Sequence, residues 1–93
     1  MKLIKITKRK KGEKSTFLNR ILNNDEIVLD YTREFQEYYS DEILAQIANE
    51  YDYQNQLKDK TILCIMIFCQ GMYGVVYEKN NGQLIKINEL IGA

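Results

Sequence analysis

The longest uninterrupted apolar run in the chain is residues 61–69, TILCIMIFC. It is far shorter than the roughly 20 residues that a membrane-spanning helix needs. Ile62, Ile65 and Ile67 are β-branched, which favours a pleated strand. Alternation then places Ile62, Cys64, Met66 and Phe68 on one face and Leu63, Ile65, Ile67 and Cys69 on the other. Both faces are apolar, so the pattern predicts an interior strand covered on each side.

Two further apolar stretches follow, residues 72–79 and 83–90, separated by Asn80-Asn81-Gly82. A two-residue turn at Gln70-Gly71 sets Phe68 opposite Tyr73, Met66 opposite Val75 and Cys64 opposite Tyr77. A three-residue loop ending in a left-handed Gly82 sets Tyr77 opposite Ile85 and Val75 opposite Ile87. A two-residue Asn81-Gly82 turn instead sets Tyr77 opposite Lys86, so the apolar match favours the longer loop. The prediction is an antiparallel three-stranded meander over residues 61–90, with its richer face on the side of Cys64 and Met66.

Upstream, Leu3, Ile4 and Ile6 among lysines predict a short edge strand over residues 2–8, and residues 26–31 predict another. Ser15 followed by Phe17, Leu18, Ile21 and Leu22 predicts a short helix over residues 16–23, placed on the poorer face. Thr32 opens a helical turn with Tyr31, Phe35, Tyr38 and Tyr39 on one side. Ser40 is the strongest cap, with Asp41 and Glu42 in the first turn behind it. Ile43, Leu44, Ile47, Ala48 and Tyr51 then form the stripe of a long helix over residues 41–57, laid on the richer face. Tyr39 and Tyr51 belong to the core by this reading, and Tyr38 and Tyr53 to the surface. The class is α+β, one domain over residues 1–93.

At 93 residues, 45% apolar and 28% charged, the chain has the make-up of a folded single domain. No apolar signal segment follows the first lysines, so a cytoplasmic, intracellular protein without membrane attachment is expected. With no histidine, a nucleophile activated by a histidine base is excluded, and Cys64 and Cys69 cannot complete a zinc site. They fall on opposite faces of one strand and are read as free thiols. The segment Gly12-Glu13-Lys14-Ser15-Thr16 echoes a phosphate-binding loop but lacks its first glycine and its preceding buried strand. No enzyme, metal or cofactor is expected.

Charge is more telling. The net charge is zero, yet residues 1–14 hold seven basic residues against one acid, and residues 25–52 hold nine acids against one arginine. The acidic segment is interleaved with tyrosines, a composition suited to interfaces. Asp30, Glu34, Glu37, Tyr38, Asp41 and Glu42 are the candidate partner-binding residues. They suit a small protein that occupies the basic surface of a nuclease or another nucleic-acid-binding protein. Inhibitors that phages and other mobile elements encode, such as anti-CRISPR and anti-restriction proteins, are the analogy, although no motif carries it. The alternative is a small nucleic-acid-binding accessory or regulatory protein using Lys8, Arg9, Lys10, Lys11 and Lys14. A two-faced central strand served by one long helix also leaves apolar area for a homodimer.

Overall fold

The computed structural model describes residues 1–17 and 19–92. Five strands, β1 (Lys2–Arg9), β2 (Glu26–Thr32), β3 (Ile62–Phe68), β4 (Met72–Asn80) and β5 (Gln83–Gly92), form one sheet in the order β1-β2-β3-β4-β5. One helix, α1 (Asp41–Asn55), joins β2 to β3. The fold is α+β, with the apolar run 61–69 supplying the middle strand.

The sheet is mixed rather than antiparallel throughout, because β2 and β3 run parallel. The cause is the helix between them. Its 15 residues, at about 1.5 Å of rise each, carry the chain back along the sheet, so β3 starts at the end where β2 started. The remaining neighbours, β1 with β2, β3 with β4 and β4 with β5, are antiparallel.

Ser40 caps α1 as its sequence suggests. Its backbone is extended, and its Oγ accepts the Ile43 N–H at 3.3 Å. Gln56 ends the helix in the left-handed region at φ 48°, its N–H donating to the Asp52 carbonyl. Leu44 and Ala48 are fully buried against Leu29, Leu63, Ile65, Ile67, Val75 and Tyr77. A buried leucine of this kind contributes about 2 kcal/mol by area. Tyr39 and Tyr51 pack at the margin of this cluster, whereas Tyr38 and Tyr53 are exposed.

The register of the meander differs from expectation at both turns. Phe68 pairs with Met72, so the first connection has three residues rather than two. Gln70 takes φ 54° there and Gly71 φ 140°, and the Cys69 N–H donates to the Gly71 carbonyl. One residue of slip exchanges the faces of a strand. Leu63, Ile65 and Ile67 therefore share a face with Tyr77, Val75 and Tyr73, and α1 covers this face rather than the expected one of Cys64 and Met66. At the second turn Asn80 pairs with Gln83, leaving only Asn81 and Gly82 between the strands, at φ 51° and 83°. Local turn chemistry outweighed the apolar match, since two positive φ values suit an Asn-Gly hairpin. Tyr77 then lies opposite Lys86, and a bulge at Ile87 shifts the register before Val76 meets Asn88.

The face away from α1 carries a smaller cluster of Val28, Cys64 and Met66, bordered by Met72, Val76 and Leu90. The expected helix over residues 16–23 does not form among the described residues; Leu18 lies outside them. Instead the segment folds back on itself. Gly12 and Leu22 share a backbone hydrogen bond, Leu22 donates to Glu13, Ser15 donates to Arg20, and Lys14 bridges Ile21. These ladder bonds occupy backbone groups that a helix needs for itself. The Ser15 hydroxyl, expected as a helix cap, donates to the buried Glu26 carboxylate. No helix among the described residues is long and apolar enough to cross a membrane.

Candidate functional site

The parallel crossover separates the two charged segments. At one end of the sheet, Lys2, Thr32, Phe68, Met72 and Gly92 lie side by side on adjacent strands. Segment 33–40 leaves from this end, and α1 begins there. At the other end Arg9, Glu26, Ile62 and Glu78 are neighbours. The basic loop after β1 and the residues following α1 gather at that end.

At the acidic end, segment 33–40 is irregular rather than helical, and it is held by interior bonds. The Arg33 N–H donates to the Phe68 carbonyl at 3.3 Å, and its Nη1 donates to the Glu37 carbonyl at 2.7 Å. The same guanidinium lies over the Tyr39 ring, 4.8 Å from its centre, and Tyr39 meets Tyr73 with ring centres 5.8 Å apart. The Glu37 carboxylate pairs with the amino group of Met1 and accepts the Glu34 N–H. Its N–H donates to the Glu34 carbonyl, closing a turn.

These bonds sort the six expected residues. Glu34, Tyr38 and Glu42 are exposed around the fixed turn and the helix start. Asp41 is also exposed, but it accepts the Tyr73 hydroxyl at 3.2 Å and Lys86 Nζ at 3.3 Å. Burial and then the bond to Asp41 push the Tyr73 phenol up to about 12. Glu37 serves the structure of the turn. Asp30 is not part of this surface: it lies on the sheet face away from α1, between Lys5 and Met66. Partial burial there raises its carboxyl pKa, and Lys5 opposes the shift. Phe35, which its spacing with Tyr31, Tyr38 and Tyr39 places on one side of a helical turn, is a surface residue because segment 33–40 does not form that helix. It is 65% exposed, beside Tyr38 at 76%.

The basic end brings Lys8, Arg9 and Lys10 to a shallow groove of about 160 Å³ that Lys58 also lines. Lys58 reaches it through the turn after α1, which nothing in the local sequence of residues 8–14 announces. The loop is shaped by its own acids: the Lys10 N–H donates to Glu13 and the Lys11 N–H to Asp25. Lys11 and Lys14 are exposed. Among the described residues, the ion pairs join Met1 to Glu37, Lys79 to Asp52, and Lys86 to Asp41 and Glu89. None uses a side chain of the five arm residues.

Among the described residues, no group of three or more His, Cys, Asp or Glu side chains is placed to hold a metal ion. Cys64 is fully buried, and burial pushes its thiol up to about 12, so it is a poor nucleophile. No family model matches the chain, and no curated protein or solved structure matches it.

Proposed function

We propose that this protein is a non-enzymatic binding module that occupies a basic surface of another protein through residues 34–42. The observation that carries this reading is the anchored turn holding Phe35 and Tyr38 in solvent between Glu34 and Glu42. Aromatic side chains on a pre-ordered turn lose little freedom on docking and make strong central anchors. The flanking carboxylates would steer the turn to positive potential and select against acidic partners. The sharpest form of the reading is an inhibitor of a nucleic-acid-processing protein, met in the cytoplasm, whose phosphate-binding cleft receives this acidic turn.

The test is binding to a panel of purified nucleases and other nucleic-acid-binding proteins. The chain is compared with a variant carrying Glu34→Gln, Phe35→Ala, Tyr38→Ala and Glu42→Gln. Binding and inhibition that vanish in the variant support the proposal. Binding that survives all four substitutions places the working surface elsewhere.

A second reading rests on Lys58 joining Lys8, Arg9 and Lys10 at the opposite end. This surface suits a phosphate backbone and would act without reading bases. Affinity for labelled single- and double-stranded nucleic acid, measured over a salt series, tests it. A steep loss with salt, abolished by neutralising Lys8, Arg9, Lys10, Lys11 and Lys14, supports this reading. No binding at low salt removes it.

A further inference from the structure

The two edges of the sheet are built differently. The outer edge strand β1 also exposes Leu3, Ile4 and Ile6, but it carries Lys2, Lys5, Lys8 and Arg9, like charges that discourage another strand from adding there. The edge strand β5 is ten residues long and contains no proline. Its charged side chains are Lys86 and Glu89, of opposite sign, and it exposes Ile85, Ile87 and Ile91 at 44, 51 and 79%. A long edge strand with exposed apolar side chains is a template for strand addition, and the two charges on this one are of opposite sign, so that the strand also matches itself.

We infer that β5 is the site at which two copies of this chain pair, antiparallel about a two-fold axis between Ile87 and Asn88, to give one continuous ten-stranded sheet. In this register Lys86 faces Glu89 of the second copy, Ile85 faces its Leu90, and Leu84 faces its Ile91. Each match recurs in reverse on the other side of the axis. The order Leu84, Ile85, Lys86 reads against Ile91, Leu90, Glu89 as apolar to apolar, apolar to apolar and cation to anion, while Ile87 meets Asn88 at the axis itself.

The bulge makes this geometry available. In a regular strand, residues an odd number apart lie on opposite faces, so such a register would set inner against outer side chains. The shift at Ile87 corrects this. Lys86 and Glu89 lie opposite Tyr77 and Val75, on the helix side, and Leu84 and Ile91 lie opposite Lys79 and Tyr73 on that same side. Ile85 and Leu90 lie opposite Glu78 and Gly74, on the other side. Leu84 already borders the main core and Leu90 the smaller one, so Ile91 and Ile85 of the second copy extend both clusters across the join. With zero net charge, two copies carry no overall repulsion against meeting.

The pairing does not rest on the function proposed above. Lys86 also bonds Asp41 and Glu89 of its own chain, and either charge reversal breaks the bond to Glu89, so association on mixing is the readout specific to the join. Sedimentation velocity over a range of concentrations tests it, with circular dichroism confirming that each variant is folded. The unaltered chain should sediment as a dimer. Lys86→Glu and Glu89→Lys each set like charges opposite one another twice, and each should weaken self-association by about tenfold or more. Mixed in equal amounts, the two variants restore both opposite-charge pairs and should form the heterodimer. Ile91→Lys disrupts the same join at its most exposed position without altering those charges. A chain that is monomeric throughout overturns the inference. A dimer indifferent to all three substitutions also overturns it, as does a folded charge-reversed pair that fails to associate on mixing.

Discussion

Met66 lays its thioether across Gly74, the residue paired with it on the neighbouring strand. A Cβ at position 74 would fall inside the contact distance of the Met66 sulfur, 3.2 Å from its Cε and 3.4 Å from the Leu90 Cβ. The glycine is there for the space it leaves, since its φ is not positive. Met66 is 1% exposed and has little room to retreat. Gly74→Ala should therefore cost about 1–3 kcal/mol in chemical denaturation. Adding Met66→Ala should cost less in the Gly74→Ala chain than in the unaltered one, because it relieves the clash. Equal costs in both backgrounds would show that the two sites do not interact.

Asp52 ties the end of α1 to the sheet. One oxygen pairs with Lys79 on β4 and the other accepts the Leu57 N–H at 3.1 Å. The two side chains are 13 and 15% exposed, so neither charge is freely solvated once its partner is lost. Asp52→Ala should destabilise the fold by about 2 kcal/mol, and Lys79→Met by less, since the methionine keeps the apolar stem and Asp52 keeps its bond from Leu57. Thermal unfolding of both variants checks the order. A costlier Lys79→Met would mean that the amine does more than neutralise Asp52.

The Tyr73 phenol should make stability fall at alkaline pH. Its pKa is about 12 in the fold against 10.0 for an unperturbed tyrosine. Below the unfolded value both states keep the proton, and the full contribution is present. Between the two values the unfolded chain ionises first, so stability declines as pH rises, and the contribution is gone above the folded value. Burial shifts Tyr31, Tyr51 and Tyr77 the same way. Urea unfolding at about pH 8 and about pH 11 should show a loss for the unaltered chain that is smaller in Tyr73→Phe. An identical loss in the variant would place the alkaline limb on groups other than Tyr73, with Tyr31, Tyr51 and Tyr77 the first of them.

Elements whose signals are local were legible in the sequence. Ser40 with Asp41 and Glu42 marked the helix start, and the Ile-rich run 61–69 marked the central strand. Register was not legible, because it hangs on turns where propensity and packing disagree. Gln70 is a poor residue for φ 54° yet adopts it, and Asn81-Gly82 forms the tight turn at the expense of setting Lys86 opposite Tyr77. The candidate surfaces were half legible for a related reason. Charge segregation was visible, but Glu37 is taken by an amino group 36 residues away, and Lys58 joins the basic arm only through the tertiary fold. Long-range partners of this kind leave no pattern in the neighbouring residues.

Glu26 links stability to the basic loop. It is 3% exposed, and its carboxylate accepts the Ser15 hydroxyl at 2.9 Å and the Thr16 N–H at 3.0 Å. A buried carboxylate whose bonds come from one loop holds that loop firmly, and removing it takes away the acceptor that the Ser15 hydroxyl and the Thr16 N–H share. Glu26→Gln replaces one accepting oxygen with a donor and should cost about 1–2 kcal/mol. Glu26→Ala should release the fold-back of residues 12–22 altogether. Limited trypsin digestion reads this directly, since Lys14 and Arg20 lie within it: cleavage there should speed up while the sheet core stays protected. Unchanged cleavage would mean that the backbone bonds between Gly12 and Leu22 suffice to hold the loop. Accelerated cleavage with unchanged nucleic-acid affinity would further show that any phosphate contact by Lys10, Lys11 and Lys14 depends on their charge rather than on a fixed loop shape.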